Sequence, residues 1–98
     1  MRWDAIFEDH QEREWIRKEH SQAHFDYLAS QRDRIRLAGG LREAPDAWYC
    51  GGLWIMEVTS REEAVRLVEA DPYFILGLRK GYRLPVWGKA PCYDAVTL

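Results

Sequence analysis

WIRKEHSQAHFDYLASQ, residues Trp15 to Gln31, is the one long amphipathic stretch of the chain and predicts its main helix. One side of this helix carries apolar and histidine side chains at helical spacing: Ile16, His20, Ala23 and Tyr27, with His24, Leu28 and Gln31 beside them. The other side is charged and is expected to face water. Because burying an imidazole without a partner costs roughly 1 to 3 kcal/mol, His20 and His24 are expected to have partners or to line a cavity.

Four strands are predicted outward from this helix. Trp3 to Glu8 and Ile35 to Leu41 both alternate with the period of a half-buried strand. Leu53 to Thr59 is apolar on both sides except for one glutamate, which predicts an inner strand with both faces covered. Tyr82 to Val86 alternates as well, and Pro85 within it favours an edge strand or a bulge.

The connecting segments complete the order of elements. Arg42 to Gly51 is predicted to be a loop. Ser60 and Glu63 form a capping box that starts a second helix. Asp71 precedes a proline, so it is expected to end that helix and to cap one new helical turn. The order strand, helix, strand, strand, helix, strand predicts a ferredoxin-like α+β fold, with a four-stranded antiparallel sheet and both helices on one face.

The composition limits the size of the domain and its partners. The 98 residues are expected to form one domain, residues 1–98, whose tail at 88–98 shows no clear period. The net charge is −2 and the two signs are mixed, which argues against nucleic acid as a partner. No apolar run approaches the roughly 18 residues that span a bilayer, so we expect a cytoplasmic protein with no membrane partner. Cys50 and Cys92 are then expected to be free thiols.

The aromatic content favours a homodimer. Five tryptophans, five tyrosines and three phenylalanines are many for a chain of this length. A lone small domain cannot easily bury them all, so we expect a second copy to cover the bare face of the sheet.

The glycine pair Gly39 and Gly40 has two interpretations. Paired glycines weaken a strand unless something approaches its backbone closely. They mark either a bulge or the start of the next loop, or a place where a ligand lies against the main chain. Both interpretations remain open at this point.

Four stretches of the sequence together resemble the YCII-related family of the dimeric α+β barrel superfamily. They are AHFDYL at Ala23 to Leu28, AGG at Ala38 to Gly40, GGLWIMEVTSREEA at Gly51 to Ala64 and ADPYFILGL at Ala70 to Leu78. The resemblance implies a ferredoxin-like protomer, a dimer, and a site built on His24 and Asp71. It also implies dehydrochlorinase-type activity on a hydroxylated aromatic, with a further likeness to muconolactone isomerase. The chain departs from the family pattern in two ways. Gly40 stands where the family commonly has proline, and His20 and Trp54 belong to none of the family motifs.

This pair of residues suits acid–base chemistry. Histidine takes and gives protons near neutral pH, and a carboxylate beside it would stabilise the imidazolium. His24 as base with Asp71 would serve a lyase, a dehydrochlorinase or an isomerase that acts without a cofactor on a small cyclic or aromatic substrate. The backbone amides of Gly39 and Gly40 would then stabilise an oxyanion. The substrate-binding candidates are completed by His20 and by the aromatic rings of Tyr27, Trp54 and Tyr73.

Other interpretations weigh against each assignment. His24 is also compatible with a hydrogen-bonded core histidine and Asp71 with a helix cap alone, and the aromatic rings favour core or interface packing over ring stacking. A binding module without catalysis is the main alternative function. His20 and His24, one turn apart, would also suit a metal site completed by Asp71 or His10, and a helical histidine would suit haem. The absence of any metal or cofactor motif makes these two the least favoured.

Overall fold

The alternating residues at the N-terminus form a central strand of the sheet. The computed structural model describes residues 1–98. Its helices and strands follow in the order β1 (Arg2–Asp9), α1 (Trp15–Ser30), β2 (Ile35–Arg42), β3 (Tyr49–Glu57), α2 (Arg61–Glu69), α3 (Pro72–Ile75) and β4 (Arg79–Arg83). Two 3-10 turns, Gln11–Arg13 and Pro91–Tyr93, lie in the connections. None of the helices combines the length and the apolar composition that a membrane crossing requires.

The four strands form one antiparallel sheet in the order β2, β3, β1, β4. The two middle strands, β1 and β3, are each followed in sequence by a helix, as the βαββαβ order requires. This topology confirms the predicted ferredoxin-like α+β fold.

One face of the sheet packs against the helices and forms the core. Trp54 lies opposite both Ala5 and Ala38 in the strand register, so these three side chains share that face. The core cluster joins buried residues of this face to the buried stripe of α2: Ala5, Phe7, Ile35, Trp54, Met56, Val58, Ala64, Leu67 and Val68. Each large side chain fully buried here contributes on the order of 2 to 3 kcal/mol to folding.

The capping box at the start of α2 forms as its sequence predicts. Ser60 Oγ accepts a hydrogen bond from the backbone N–H of Glu63 at 3.2 Å. The Glu63 carboxylate in turn accepts from the backbone N–H and the hydroxyl of Thr59, at 3.2 and 3.0 Å. These contacts, the backbone one first, lower the pKa of Glu63 below its usual value. The N–H of Glu63 is therefore satisfied by the cap, and the carboxylate of Glu63 accepts from Thr59, one residue before the N-cap, rather than from Ser60.

The predicted strand ends were wrong at three places. β2 continues to Arg42 and β3 already begins at Tyr49, so both ends of the predicted loop lie in strands and only residues 43–48 connect them. β4 spans Arg79–Arg83, earlier than predicted, and only Val86 makes an isolated bridge beyond it. The cause is Pro85, which has no N–H to donate and instead accepts from Asp4 through its carbonyl at 2.9 Å.

The inward face of α1 differs from the predicted one. His20 has non-helical dihedral angles, φ −124° and ψ 16°, so the helix is kinked there. The kink turns the second half relative to the first, and the buried residues are Ile16 and His24. Ala23, which was predicted to face inward, is exposed. A single uninterrupted helical period cannot anticipate such a break.

The sheet face away from the helices carries apolar side chains. Leu37 lies opposite Ile55 in the register, and both line a shallow apolar groove with Leu41 and Leu53. Leu37 is 54% exposed. This face is the one on which the sequence predicts a second copy.

Candidate functional site

A cleft of about 310 Å³ opens between α1, the β2–β3 hairpin and the residues after α2. Its size lies at the lower end of the range for small-molecule sites. His24 lines it, as do Gly39, Gly40, Trp54 and Tyr73, which are five of the eight residues proposed from the sequence. The fold therefore brings most of the predicted site together.

His24 and Asp71 form the buried pair at the base of this cleft. His24 Nδ1 lies 2.7 Å from Asp71 Oδ1. The two residues are only 6% and 1% exposed. With Asp71 ionised, Nδ1 carries the proton and donates it to the carboxylate, while Nε2 has no partner within the protein. The imidazole can therefore accept a proton at Nε2 and delocalise the resulting charge toward Asp71.

The helical turn α3 fixes the carboxylate of Asp71. Asp71 is its N-cap residue, and Oδ1 accepts the backbone N–H of Tyr73 at 3.3 Å. Pro72 at the first helical position restricts the backbone of this turn. The same oxygen thus caps the helical turn and contacts His24 Nδ1.

Aromatic rings hold the imidazole in its plane. The ring of Tyr73 stacks on that of His24, with centroids 3.9 Å apart and planes inclined by 11°. Trp54 lies further off, at 6.5 Å. Burial raises the pKa of the Tyr73 phenol, so this ring remains neutral at physiological pH. The stacking covers one face of the imidazole, and His24 lines the cleft.

A second buried cluster, which the sequence did not reveal, lies beside the pair. Arg79 Nη1 donates to Asp9 Oδ1 at 2.8 Å, and Arg79 Nη2 lies 3.9 Å from Asp71 Oδ2. Arg17 Nη2 donates to the other oxygen of Asp9 at 2.7 Å. Burial lowers the pKa of Arg79, and the charges of Asp9 and Asp71 oppose that shift. The cluster ties α1, β1 and β4 to the carboxylate that orients His24.

A weak signal for this cluster is present in the sequence. Asp9 continues the inward alternation of Ala5 and Phe7 by one further step. Arg79 faces Asp9 only because the register of β1 and β4 shifts between Glu8 and Asp9. A β-bulge of this kind is not visible in the pattern of one strand, and the predicted strand stops at Glu8, one residue before Asp9.

Two predicted binding residues lie outside the cleft lining. Tyr27 packs against the core cluster, and its hydroxyl donates to the carbonyl of Leu67 at 2.6 Å. Burial, together with the nearby charge of Asp71, raises the pKa of Tyr27 to about 12. His20 lies at the kink of α1 with its ring 6.3 Å from that of Trp15. The structure therefore places Tyr27 in the core and His20 on the outer part of α1.

The glycine pair lines the cleft but the two positions differ. A Cβ at Gly40 would lie 2.5 Å from the ring of Tyr49, whereas one at Gly39 would meet nothing within 4 Å. Gly40 is thus needed for the close approach of Tyr49, and Gly39 is not crowded. No group of three or more His, Cys, Asp or Glu side chains lies close enough together to hold a metal ion.

Comparisons with known proteins support the same architecture. The structure of 5-chloro-2-hydroxyhydroquinone dehydrochlorinase from Burkholderia phenoliruptrix AC1100, in complex with 2,5-dihydroxybenzoquinone, superposes with a TM-score of 0.86. The match covers 96% of this chain and 100% of that one at 24% sequence identity, which establishes a shared fold. No match was found among curated proteins. The family model of the YCII-related domain matches residues 1–87, and the chain belongs to that family.

Proposed function

We propose that this protein is a small enzyme in which His24 and Asp71 perform acid–base chemistry on a small cyclic or aromatic substrate. The observation that carries the proposal is the 2.7 Å contact between His24 Nδ1 and Asp71 Oδ1 in a buried pair whose imidazole lines the cleft. A carboxylate that fixes the tautomer and stabilises the imidazolium is the arrangement that general base catalysis requires. The reaction proposed is that of a lyase or an isomerase.

The first step would be removal of a substrate proton by His24 Nε2. The electrons of the broken bond move into the ring system, and the imidazolium is stabilised by Asp71. In the lyase form, chloride departs from the neighbouring carbon with its bonding pair, so that the net loss is HCl. In the isomerase form, the imidazolium returns the proton to a different carbon. Neither form requires an added cofactor or an oxidant.

The walls of the cleft favour a flat substrate. Trp54, Tyr73 and Tyr49 supply aromatic surface, and the backbone at Gly39 and Gly40 offers the closest main-chain approach. We propose that amides at these glycines stabilise an oxyanion that develops on the substrate. The neighbouring structure with 2,5-dihydroxybenzoquinone bound supports a small hydroxylated ring as the ligand class.

We also propose a homodimer in a reducing cytoplasm. The homodimer is supported by the apolar groove formed by Leu37, Leu41, Leu53 and Ile55. The reducing cytoplasm is compatible with two unpaired cysteines, Cys50 and Cys92. Leu37→Glu would place a charge in the groove, so sedimentation should show a monomer. Val96→Glu in the tail, where Val96 is 50% exposed, is the control. A wild-type monomer would contradict the dimer.

Turnover by His24→Gln tests the enzymatic proposal. Chlorinated and hydroxylated aromatic rings, including 5-chloro-2-hydroxyhydroquinone, would be screened for chloride release and for changes in absorbance. Loss of general base catalysis should lower turnover by about 10² to 10⁴-fold, while circular dichroism shows a folded protein. His20→Gln should retain activity. Ligand binding without turnover in the wild type would instead support a binding module.

A further inference from the structure

The charges that line the cleft are mainly positive. Arg17, Lys18 and Arg79 line it, and Glu14 is the one acidic residue among its lining residues. The carboxylates that pair with the two arginines do not line the cleft. The charged groups that a ligand in the cleft would meet are therefore mostly cations, although Asp9 and Asp71 balance the two arginines from outside its lining.

Arg17 has donors to spare in this position. Its protein hydrogen bonds both come from Nη2, to Asp9 at 2.7 Å and to the carbonyl of Gly51 at 2.9 Å. Nε is shielded from solvent and has no partner, and Nη1 makes no hydrogen bond to the protein. A guanidinium has five N–H donors in a planar arrangement, so the free donors at Nη1 can bind an oxyanion.

Aromatic packing fixes the orientation of that guanidinium. Its Cζ atom lies 4.7 Å from the ring centre of Tyr49 and 5.3 Å from that of Tyr73. The ring of Tyr73 also stacks on His24. Arg17 and His24 therefore both lie near the ring of Tyr73, and both line the same cleft.

We propose that the cleft selects a ring that carries an oxyanion, either a carboxylate or an ionised phenol or enol, and that Arg17 binds it. The inference rests on the proposed function, since it names the substrate class of the same site. An oxyanion held by Arg17 places the ring beside His24 Nε2, with its proton-bearing carbon within reach of the base. Arg17 thus acts as a specificity-determining residue and Lys18 supplies further positive charge at the mouth.

Matched pairs of ring compounds test this assignment by calorimetry near neutral pH. Benzoate and benzamide differ in a carboxylate charge, and 2,4-dinitrophenolate and 1,3-dinitrobenzene differ in a phenolate. The wild type should bind at least one anion about tenfold or more tightly than its neutral match, and Arg17→Gln should lose most of that difference. Arg36→Gln removes the same charge from an exposed position outside the cleft and should change neither affinity.

Equal binding of charged and neutral probes, no binding of any anion, or a preference that Arg17→Gln retains would each overturn the proposal. If Arg17→Gln does not fold, Arg17→Lys replaces it, because lysine keeps a cation for Asp9 and removes the planar donors. Wild-type affinity for the anions in Arg17→Lys would likewise overturn it. Preference for benzoate identifies a carboxylate substrate, and preference for dinitrophenolate identifies a phenolate or enolate.

The His24→Gln protein separates this inference from the proposed enzymatic function. It should keep the anion preference, because Arg17 and its contacts with Asp9 and Gly51 are unchanged. Turnover that survives in His24→Gln would end the enzymatic proposal and leave the anion site standing. If only Arg17→Gln loses the anion preference, the anion site is supported and the proposed role of His24 as a base is neither supported nor weakened.

Discussion

His24 Nδ1 lies 2.7 Å from Asp71 Oδ1, although 47 positions separate the two residues in the sequence. The same oxygen accepts the backbone N–H of Tyr73 and caps α3. Because Asp71 is held as a helix cap, the imidazole meets a carboxylate that is already fixed before any substrate binds. Rigid support of this kind is what a catalytic pair requires.

Asp71→Asn should separate the two roles of this residue. Asparagine caps a helix about as well as aspartate, so α3 should persist. The loss of charge should remove the support for the imidazolium and lower turnover by about 10²-fold or more. Asp71→Ala, measured by chemical unfolding, should be less stable than Asp71→Asn by about 1 kcal/mol. Full turnover in Asp71→Asn would show that the carboxylate is only a cap.

Arg79→Met should be strongly destabilising. Its removal leaves the buried carboxylate of Asp9 with Arg17 alone and takes the only cation away from Asp71 Oδ2. Breaking a buried pair in this way typically costs about 3 to 5 kcal/mol in the free energy of unfolding, which urea titration measures. The neighbouring Lys80→Met removes an exposed partner of Glu8 and should cost about 1 kcal/mol or less. Equal costs for the two variants would contradict the structural role of the cluster.

Tyr27→Phe should change the response of stability to alkali. The phenol has its ordinary pKa near 10 in the unfolded chain and about 12 in the fold. Between those values the unfolded chain has released the proton and the folded protein still holds it, so stability falls as the pH rises through that window. Tyr27→Phe should lose the decrease in stability that comes from this phenol. Tyr93→Phe, in the exposed tail, should keep that decrease. At neutral pH, Tyr27→Phe should cost about 1 kcal/mol, because the carbonyl of Leu67 loses its donor.

Gly40→Ala and Gly39→Ala form a matched pair at the cleft. The methyl group at Gly40 would collide with the ring of Tyr49, which packs over Arg17, whereas the one at Gly39 has open space. Gly40→Ala should therefore displace that ring and weaken ligand affinity by about tenfold, with Gly39→Ala close to the wild type. Calorimetry with the tightest-binding anion provides the comparison. Similar affinities in both variants would show that Tyr49 does not shape the site.

Much of the architecture could be predicted because local signals agree with it. The capping box at Ser60 and the proline after Asp71 fix helix ends by steric and hydrogen-bonding rules that act within a few residues. Trp54, Met56 and Val58 share the core face, as the period of a strand requires. The residues alone indicated that the inward histidines of α1 need partners, and the resemblance to the YCII-related family implied the site at His24 and Asp71.

The rest depends on contacts that no local period encodes. The kink at His20 turns the second half of α1. A projection that assumes a straight helix therefore places Ala23 on the inward face, which is wrong. The shift between Glu8 and Asp9 brings Arg79 to the carboxylate of Asp9, and neither strand shows that register alone. Arg17 follows the buried Ile16, and the sequence alone suggests a surface residue. Its packing against Tyr49 and Tyr73 is visible only in the structure. Long-range packing, rather than propensity, therefore determines the charge of the cleft.

The tautomer of His24 tests the central claim most directly. Nitrogen-15 NMR of the imidazole, assigned by comparison with His24→Gln, reports which ring nitrogen carries the proton in the neutral form. The hydrogen bond to Asp71 predicts a proton on Nδ1 and an unprotonated Nε2 that responds to a ligand added to the cleft. A proton on Nε2, with Nδ1 unprotonated, would contradict the pairing and with it the proposed base.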